Sequence, residues 1–391
     1  MTSQLPSSFL LPPGIAANER AGGDLTRRQW ADSPHLYRTD FVRDRGRVLH
    51  ARAFRRLAGK TQVFTRRPGE LIGDHFRSRL THTLEVAQIA RTLAEALGLN
   101  ANLAETLALV HDIGHPPYGH AGEKALDSEL RRVGMRFDHN LHALRIVTHF
   151  EERHPAYRGL NLTLAVREGI IKHSHDYRVD ENPELGEYLL DQFPPLEAQL
   201  IDLADEIAYL TADLDDGLDA GILTIEQVRA GVPLFRRFHD EVAQAYPGAV
   251  ARLVTTEALK RVLNALATDG LIELHRQVTE ERISTLEEVR RASRRLVHLS
   301  AEMEAERAQT RQFLYANLYL TPEMEEVHVG ATAVVQGLFR AFVADPGLLP
   351  EDHQAQIPTE GLARTVADYI AGMTDSFIEQ SWQRVRDEQG R

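Results

Sequence analysis

The sequence predicts an all-α protein, and three observations lead there. From about residue 40 onward Ala, Leu, Glu and Arg dominate, and these are strong helix formers. Apolar residues recur at i, i+3, i+4 and i+7 rather than at every second position. No hairpin signal flanked by alternating apolar residues stands out, and only residues 61–64 (TQVF) read as a short strand.

The elements follow in order. Residues 1 to about 35 are rich in Pro, Gly and Ser with little periodicity, and read as an arm or a poorly ordered tail. Residues 80–97 form a helix closed by Gly98 as a C-cap. Residues 102–111 form the next, stopped by Gly114, Pro116 and Pro117. Residues 139–150 and 162–173 follow, and 197–214 is long and regular. Beyond Thr224 the amphipathic stretches are 225–230, 234–245, 255–267, 286–315, 324–343 and 362–379. Residues 178–185 and 344–359 read as loops, and no internal repeat is visible.

Composition narrows the function classes. The chain has no cysteine, so disulfides and thiolate metal sites are excluded and any metal sits on N and O ligands. No apolar run reads as long enough to span a membrane, and the N-terminus lacks the basic and apolar regions of a signal peptide. The expectation is a cytoplasmic protein. The net charge of −12 repels polyanions overall. One segment departs from that balance: Arg43, Arg45, Arg47, Arg52, Arg55, Arg56, Lys60, Arg66, Arg67, Arg77 and Arg79 face only Asp44, Glu70 and Asp74. This suggests a local anion site; the plain alternative is a solvated face of ion pairs.

Residues 110–123 (VHDIGHPPYGHAGE) carry the chemistry. His111, Asp112, His115, His120 and Glu123 crowd one short segment, and imidazole with carboxylate is the usual ligand chemistry for a divalent ion that activates water. His82 shares an apolar stripe with Val86, Ile89, Leu93 and Leu97, and His111 shares one with Ala104 and Leu107. Either histidine alone reads as a core residue bonded to a carbonyl. Asp112 beside His111 changes the balance, because an inward carboxylate needs a cation. Asp205, Tyr209 and Asp213 lie at i, i+4 and i+8, within one broad helical face. His82, His111, Asp112 and Asp205 make a four-ligand N/O set for Mn²⁺, Mg²⁺, Fe²⁺ or Zn²⁺ with positions open to water and substrate.

On these residues the chain resembles the HD-domain metal-dependent phosphohydrolases. It is more closely similar to the bacterial deoxyguanosine triphosphate triphosphohydrolase group. Seven ordered segments carry the likeness: RRLAGKTQVF (55–64), RSRLTHTLEVAQIAR (77–91), HDIGHPPYGHAGE (111–123), FDHN (137–140), GLNLT (159–163), IDLADEIAY (201–209) and VADYIAGMTD (366–375). The resemblance implies an all-α fold: an HD-domain helical core with an additional C-terminal helical region. In that scheme 1–38 is an arm, 39–222 the metal-dependent core, and 223–391 completes the pocket and oligomer contacts.

The resemblance also implies an activity. Relatives cleave a deoxynucleoside triphosphate between the 5′ oxygen and the α-phosphorus, giving deoxynucleoside and inorganic triphosphate, and so regulate dNTP pools. By position, His82, His111, Asp112 and Asp205 hold the metal. The implied ion is Mn²⁺ or Mg²⁺ first, with Fe²⁺, Co²⁺, Ni²⁺ and Zn²⁺ also compatible. His120 and Glu123 match the catalytic pair, and His115 and His139 match further active-site histidines near the phosphates. Arg79 matches an α-phosphate ligand, and its planar fork suits that role. Tyr209 and Asp213 match residues lying against the sugar. Lys172 is an added candidate for charge neutralisation, with a surface lysine as its alternative. The implied partners are a dNTP substrate, a second nucleotide as activator, and further copies of the chain, with a hexamer favoured. Single-stranded DNA is a secondary ligand suggested by residues 43–67.

Two rival readings stay open at this point. One is an HD-domain phosphatase or phosphodiesterase acting on other nucleotides. The other is a nucleotide- or DNA-binding regulator with a weak hydrolase site. Residues 59–61 (GKT) are not a P-loop, because the glycine required five positions earlier is Phe54, and Lys60 attracts no further argument.

Overall fold

The computed structural model describes residues 8–19, 23–62 and 77–389. Its helices are α1 (Asp40–Leu49), α2 (Arg52–Arg56), α3 (Arg79–Leu97), α4 (Ala101–Val110), α5 (Gly119–Arg131), α6 (His139–Arg145), α7 (Leu164–Ile171), α8 (Leu196–Asp219), α9 (Ile225–Gly231) and α10 (Pro233–Ala245). They continue with α11 (Ala251–Glu280), α12 (Leu286–Arg290), α13 (Ala301–Leu314), α14 (Pro322–Ala344), α15 (Glu351–Gln354), α16 (Ile357–Glu360), α17 (Leu362–Ala371) and α18 (Asp375–Gln389). No strand occurs among the described residues. Thr61 makes an isolated antiparallel bridge to Ser78, while Val63 and Phe64 of the expected strand lie outside the described residues. The all-α expectation holds.

Two compact units form. One takes the described residues of Met1–Gly46, Leu84–Leu109 and Leu162–Thr321; the other takes those of Arg47–Thr83, Val110–Asn161 and Pro322–Arg391. The chain passes between these units several times, once inside α3.

In the first unit α11 packs on α8 and α10. It runs 30 residues, far past the expected 255–267, because its second half buries Leu274, Gln277 and Val278. The N-terminal stretch is not a loose tail where it is described. Leu11, Ile15 and Ala17 are buried, Leu11 N–H donates to Leu97 O at 3.0 Å, and Ala17 N–H donates to the buried Glu197 carboxylate at 2.9 Å. The expected helix 286–315 is two helices. Arg290 turns inward to grip Glu168 through both guanidinium ends, at 2.7 and 2.8 Å. The helix restarts only at Ser300, which caps α13 and is itself held by Asp269 at 2.7 and 2.8 Å. Polar anchors interrupt a continuous apolar pattern.

In the second unit α14 packs on α5, α17 and α18. Its Val335, Leu338, Phe339 and Phe342 meet Leu126, Leu130, Val366, Ile370 and Ile378 in one apolar core. Residues Met324–Ala344 are, contrary to expectation, long and apolar enough by length and composition to cross a membrane. Val335, Leu338, Phe339 and Phe342 place part of that apolar surface in the core of this unit, and 33% of the stretch is buried. The expected helix 362–379 is also divided: α17 ends at Ala371 and α18 begins at Asp375. Residues 344–359, expected as a loop, hold the short helices α15 and α16.

Candidate active site

His82 stands in the first turn of α3. Its stripe partners Val86, Ile89, Leu93 and Leu97 are all buried, as the 3.6-residue period requires. Helix α4 ends at Val110, and His111 and Asp112 follow at once in the turn. The ligand atoms of His82, His111 and Asp112 all lie within 4.8 Å of one another, and all three residues are buried. Two imidazoles and a carboxylate converging out of solvent fit a divalent ion on donor chemistry alone. Both Asp112 oxygens accept from Arg79 Nη1, at 3.0 and 2.9 Å, and one sits 2.9 Å from His115 Nδ1. Burial would raise its carboxyl, but Arg79, His115 and His111 hold it well below the ordinary 3.8. Arg79 is itself buried, and its Nε has no hydrogen-bond partner among the described residues.

Helix α5, missed as a helix in the sequence, delivers the remaining groups. Tyr118 and Gly119 both take left-handed backbone angles, with φ of 60° and 54°, so the chain turns sharply after Pro116 and Pro117. A Cβ on Gly119 would lie 2.6 Å from Arg79 Nη2. Gly119→Ala is therefore expected to cost about 1–2 kcal/mol from backbone handedness and to displace Arg79 as well. Thermal unfolding beside a turnover assay checks both. Gly114 has a related role: a Cβ there would meet His139 O at 1.9 Å, so only glycine lets α6 pass this close.

His120 and Glu123 lie three apart on α5 and face each other, Nδ1 to Oε2, at 3.3 Å. The other oxygen of Glu123 accepts from His139 N–H at 3.0 Å and meets His139 Nδ1 at 2.8 Å. Asp138 fixes His139 at the start of α6 by capping it, accepting from Asn140 N–H and Leu141 N–H at 2.8 and 3.0 Å. The His139 ring stacks on His115 with centroids 4.1 Å apart. A continuous path thus runs Arg79, Asp112, His115, His139, Glu123, His120. Only its last member is open to solvent, its side chain 74% exposed.

The charges along this path are uneven. Burial works against the Glu123 carboxylate, yet His120 and His139 hold it far below the ordinary 4.5. Burial likewise opposes a charged His139, and Glu123 overrides it and raises the imidazole above 6.5. Burial, Arg79 and His139 together push His115 well below 6.5, so it stays neutral.

The other expected residues lie in the first unit. Asp205, Tyr209 and Asp213 are on α8. Tyr209 OH donates to Glu206 at 3.2 Å. Asp213 is buried and accepts the hydroxyl of Tyr319, a partner no sequence pattern indicated. Lys172 corrects both sequence readings. It is neither a surface lysine nor a cation available to phosphate: it is buried, and its ammonium donates to Glu168 at 2.7 Å, Leu189 O at 2.8 Å and Gln192 O at 2.9 Å. All three protons are used within the fold.

Three members of the basic segment are tied down within the fold. Arg43 pairs with Asp32 at 2.6 Å, Arg45 with Glu105 at 2.7 Å, and Arg47 donates to Leu160 O and Asn161 O. Arg66 and Arg67 lie outside the described residues.

Comparison with known proteins adds three kinds of likeness. Residues 79–210 match the HD domain, and residues 297–384 match the phosphohydrolase-associated domain. The chain is 42% identical to a deoxyguanosinetriphosphate triphosphohydrolase-like protein of Ralstonia nicotianae over 382 residues, 97% of each chain. Proteins of the same name from Bordetella pertussis (42% identical, 92% of each chain) and Thiobacillus denitrificans (41% identical, 96% of this chain and 98% of the other) are similar throughout. The HD match begins at Arg79 and contains His82, His111, Asp112 and Asp205.

Proposed function

Because the chain belongs to the family of HD-domain deoxyguanosinetriphosphate triphosphohydrolase-like proteins, we propose that it hydrolyses deoxynucleoside triphosphates to deoxynucleoside and inorganic triphosphate in the cytoplasm. One observation carries the reading. Glu123 bridges His120 and His139 beside a buried cluster of two histidines and a carboxylate. A plain metal phosphatase needs the cluster and not the bridged pair.

His82, His111 and Asp112, with Asp205 as the fourth ligand, would hold the metal, Mn²⁺ or Mg²⁺. When bound, such an ion polarises a phosphoryl oxygen and lowers the pKa of water. The remaining work falls to the chain. Arg79, whose buried Nε has no partner among the described residues, receives an α-phosphate oxygen. Neutral His115 lines that position without adding charge. Glu123 fixes the ring orientation of His120 and His139, and the His120–Glu123 pair moves a proton between the attacking water and the leaving 5′ oxygen. Tyr209 and Asp213 meet the sugar, and Tyr319 fixes the Asp213 carboxylate.

Chromatography of products from each dNTP with Mn²⁺, Mg²⁺ or Co²⁺ tests the reading, run with and without a second nucleotide. Release of triphosphate supports it. Orthophosphate or pyrophosphate as the product would favour the broader phosphatase reading. Asp205→Ala is expected to lose bound metal while remaining folded, and elemental analysis of the purified variant checks this. Normal metal content would remove Asp205 from the ligand set. Native mass spectrometry checks the expected homo-hexamer.

A further inference from the structure

We infer that Lys60 and Asp375 are positioning residues that together set the turn carrying the acid–base groups. This rests on the function proposed above, and it goes beyond it by giving the α17–α18 corner a role in turnover.

Lys60 is buried, and its ammonium donates to His115 O and, at 2.9 Å, to Ala371 O, the last residue of α17. A cation at a helix C-terminus meets the negative end of the helix dipole, so the second contact is doubly favourable. The main chain of Lys60 works too: its carbonyl accepts Arg79 N–H at 3.0 Å, at the start of α3. Asp375 completes the arrangement. One carboxylate oxygen accepts Thr61 N–H at 2.8 Å, and the other accepts Tyr118 N–H at 3.0 Å. Gly59 lets this corner close, since a Cβ there would lie 2.8 Å from Thr374 Cγ2.

The consequence is geometric. Tyr118 has a left-handed backbone that a non-glycine residue adopts only when its surroundings impose it. Its N–H is held by Asp375, and the His115 carbonyl, three residues earlier, is held by Lys60. His120 and Glu123 follow directly from that turn. The same dipeptide, Lys60–Thr61, therefore anchors both Arg79 and the His115–Tyr118 turn, which relates the phosphate ligand to the proton-moving pair. Burial pushes the Lys60 ammonium down to about 7. Two carbonyls so close suit it charged, and it touches neither substrate nor the bridged pair.

The test uses the full chain with Lys60→Met and Asp375→Ala, and with Asp375→Asn should alanine unfold the protein. In folded Lys60→Met and Asp375→Ala kcat is expected to fall by about 10²-fold, the penalty of an ångström-scale misplacement, with KM and bound metal unchanged. Hydrogen exchange is expected to rise in residues 113–124. Asp375→Asn keeps one acceptor oxygen and falls between wild type and alanine. Unchanged kcat in Lys60→Met and Asp375→Ala would overturn the inference, as would a loss of kcat that merely follows loss of metal or of folded protein. Should the wild-type enzyme release triphosphate from no dNTP, the proposed function fails, while the exchange of residues 113–124 still decides whether the clasp exists.

Discussion

Glu123→Gln is expected to lower kcat by about three orders of magnitude, within the range general acid–base catalysis supplies, with bound metal unchanged. Among the described residues the carboxylate pairs with His120 and His139 and not with the proposed ligands His82, His111 and Asp112, so metal loss is not the expected route. It touches His120 at 3.3 Å and His139 at 2.8 Å, and it accepts the His139 backbone N–H. Glutamine keeps the shape but loses the charge that raises His139, and its amide can accept at one end only. His120→Ala is expected to show a loss in the same direction.

A stability signature accompanies it. His139 is raised above 6.5, so its contribution is present below pH 6.5 and is lost as pH climbs through the raised value. Glu123 is lowered below 4.5, so its contribution is present above pH 4.5 and is lost on acidification. The stability gap between wild type and Glu123→Gln should therefore be widest between pH 4.5 and 6.5 and narrow in mild alkali. Thermal unfolding at pH 5.5 and 8.5 measures it. Full turnover in the glutamine variant, or a gap independent of pH, would reject the ion pair as the working unit.

What was legible in the sequence was what local periodicity and adjacency encode. His82 could be placed inward because four apolar residues share its stripe within one helix. His111 and Asp112 announced themselves by adjacency, and His120 with Glu123 by their spacing of three. The helix breaks were less legible. Residues 291–300 and 372–374 interrupt amphipathic patterns because Arg290, Ser300 and Asp375 answer to partners far along the chain. Lys172 illustrates the same limit, since nothing around it in sequence tells of the two carbonyls at Leu189 and Gln192. Lys60 carries no local signal, because the P-loop spacing fails. Its partners lie 55 and 311 positions away, at His115 and Ala371, and no window of sequence contains them.

The link between Glu123 and His139 belongs to a middle category. Sixteen residues separate them, so it rests on where α6 starts, and α6 starts where Asp138 caps it. The FDHN segment carries that cap in plain sight. Its meaning depends on Gly114 letting α6 approach the turn, a contact only the folded chain reveals.

The second large effect is expected for Asp112→Ala, in stability and metal binding at once. Removing the carboxylate strips a buried imidazole pair of its anionic partner, and metal retention should fail. It also leaves the Arg79 guanidinium buried without a counter-charge. Breaking a buried pair by removing one partner costs about 3–5 kcal/mol, mostly from the stranded charge. The carboxyl is held well below 3.8, so its contribution is complete at neutral pH and is lost only on acidification below that value. Asp112→Asn should fall between, since an amide oxygen still accepts from Arg79. The double replacement Arg79→Leu with Asp112→Leu separates the two effects. Apolar residues of similar volume often replace a buried ion pair with little loss, so chemical unfolding should recover much of the stability while metal remains absent. A double variant as unstable as Asp112→Ala would mean that the stranded guanidinium is not the cause. Metal bound at wild-type level in Asp112→Ala would mean that His82 and His111 hold it without this carboxylate.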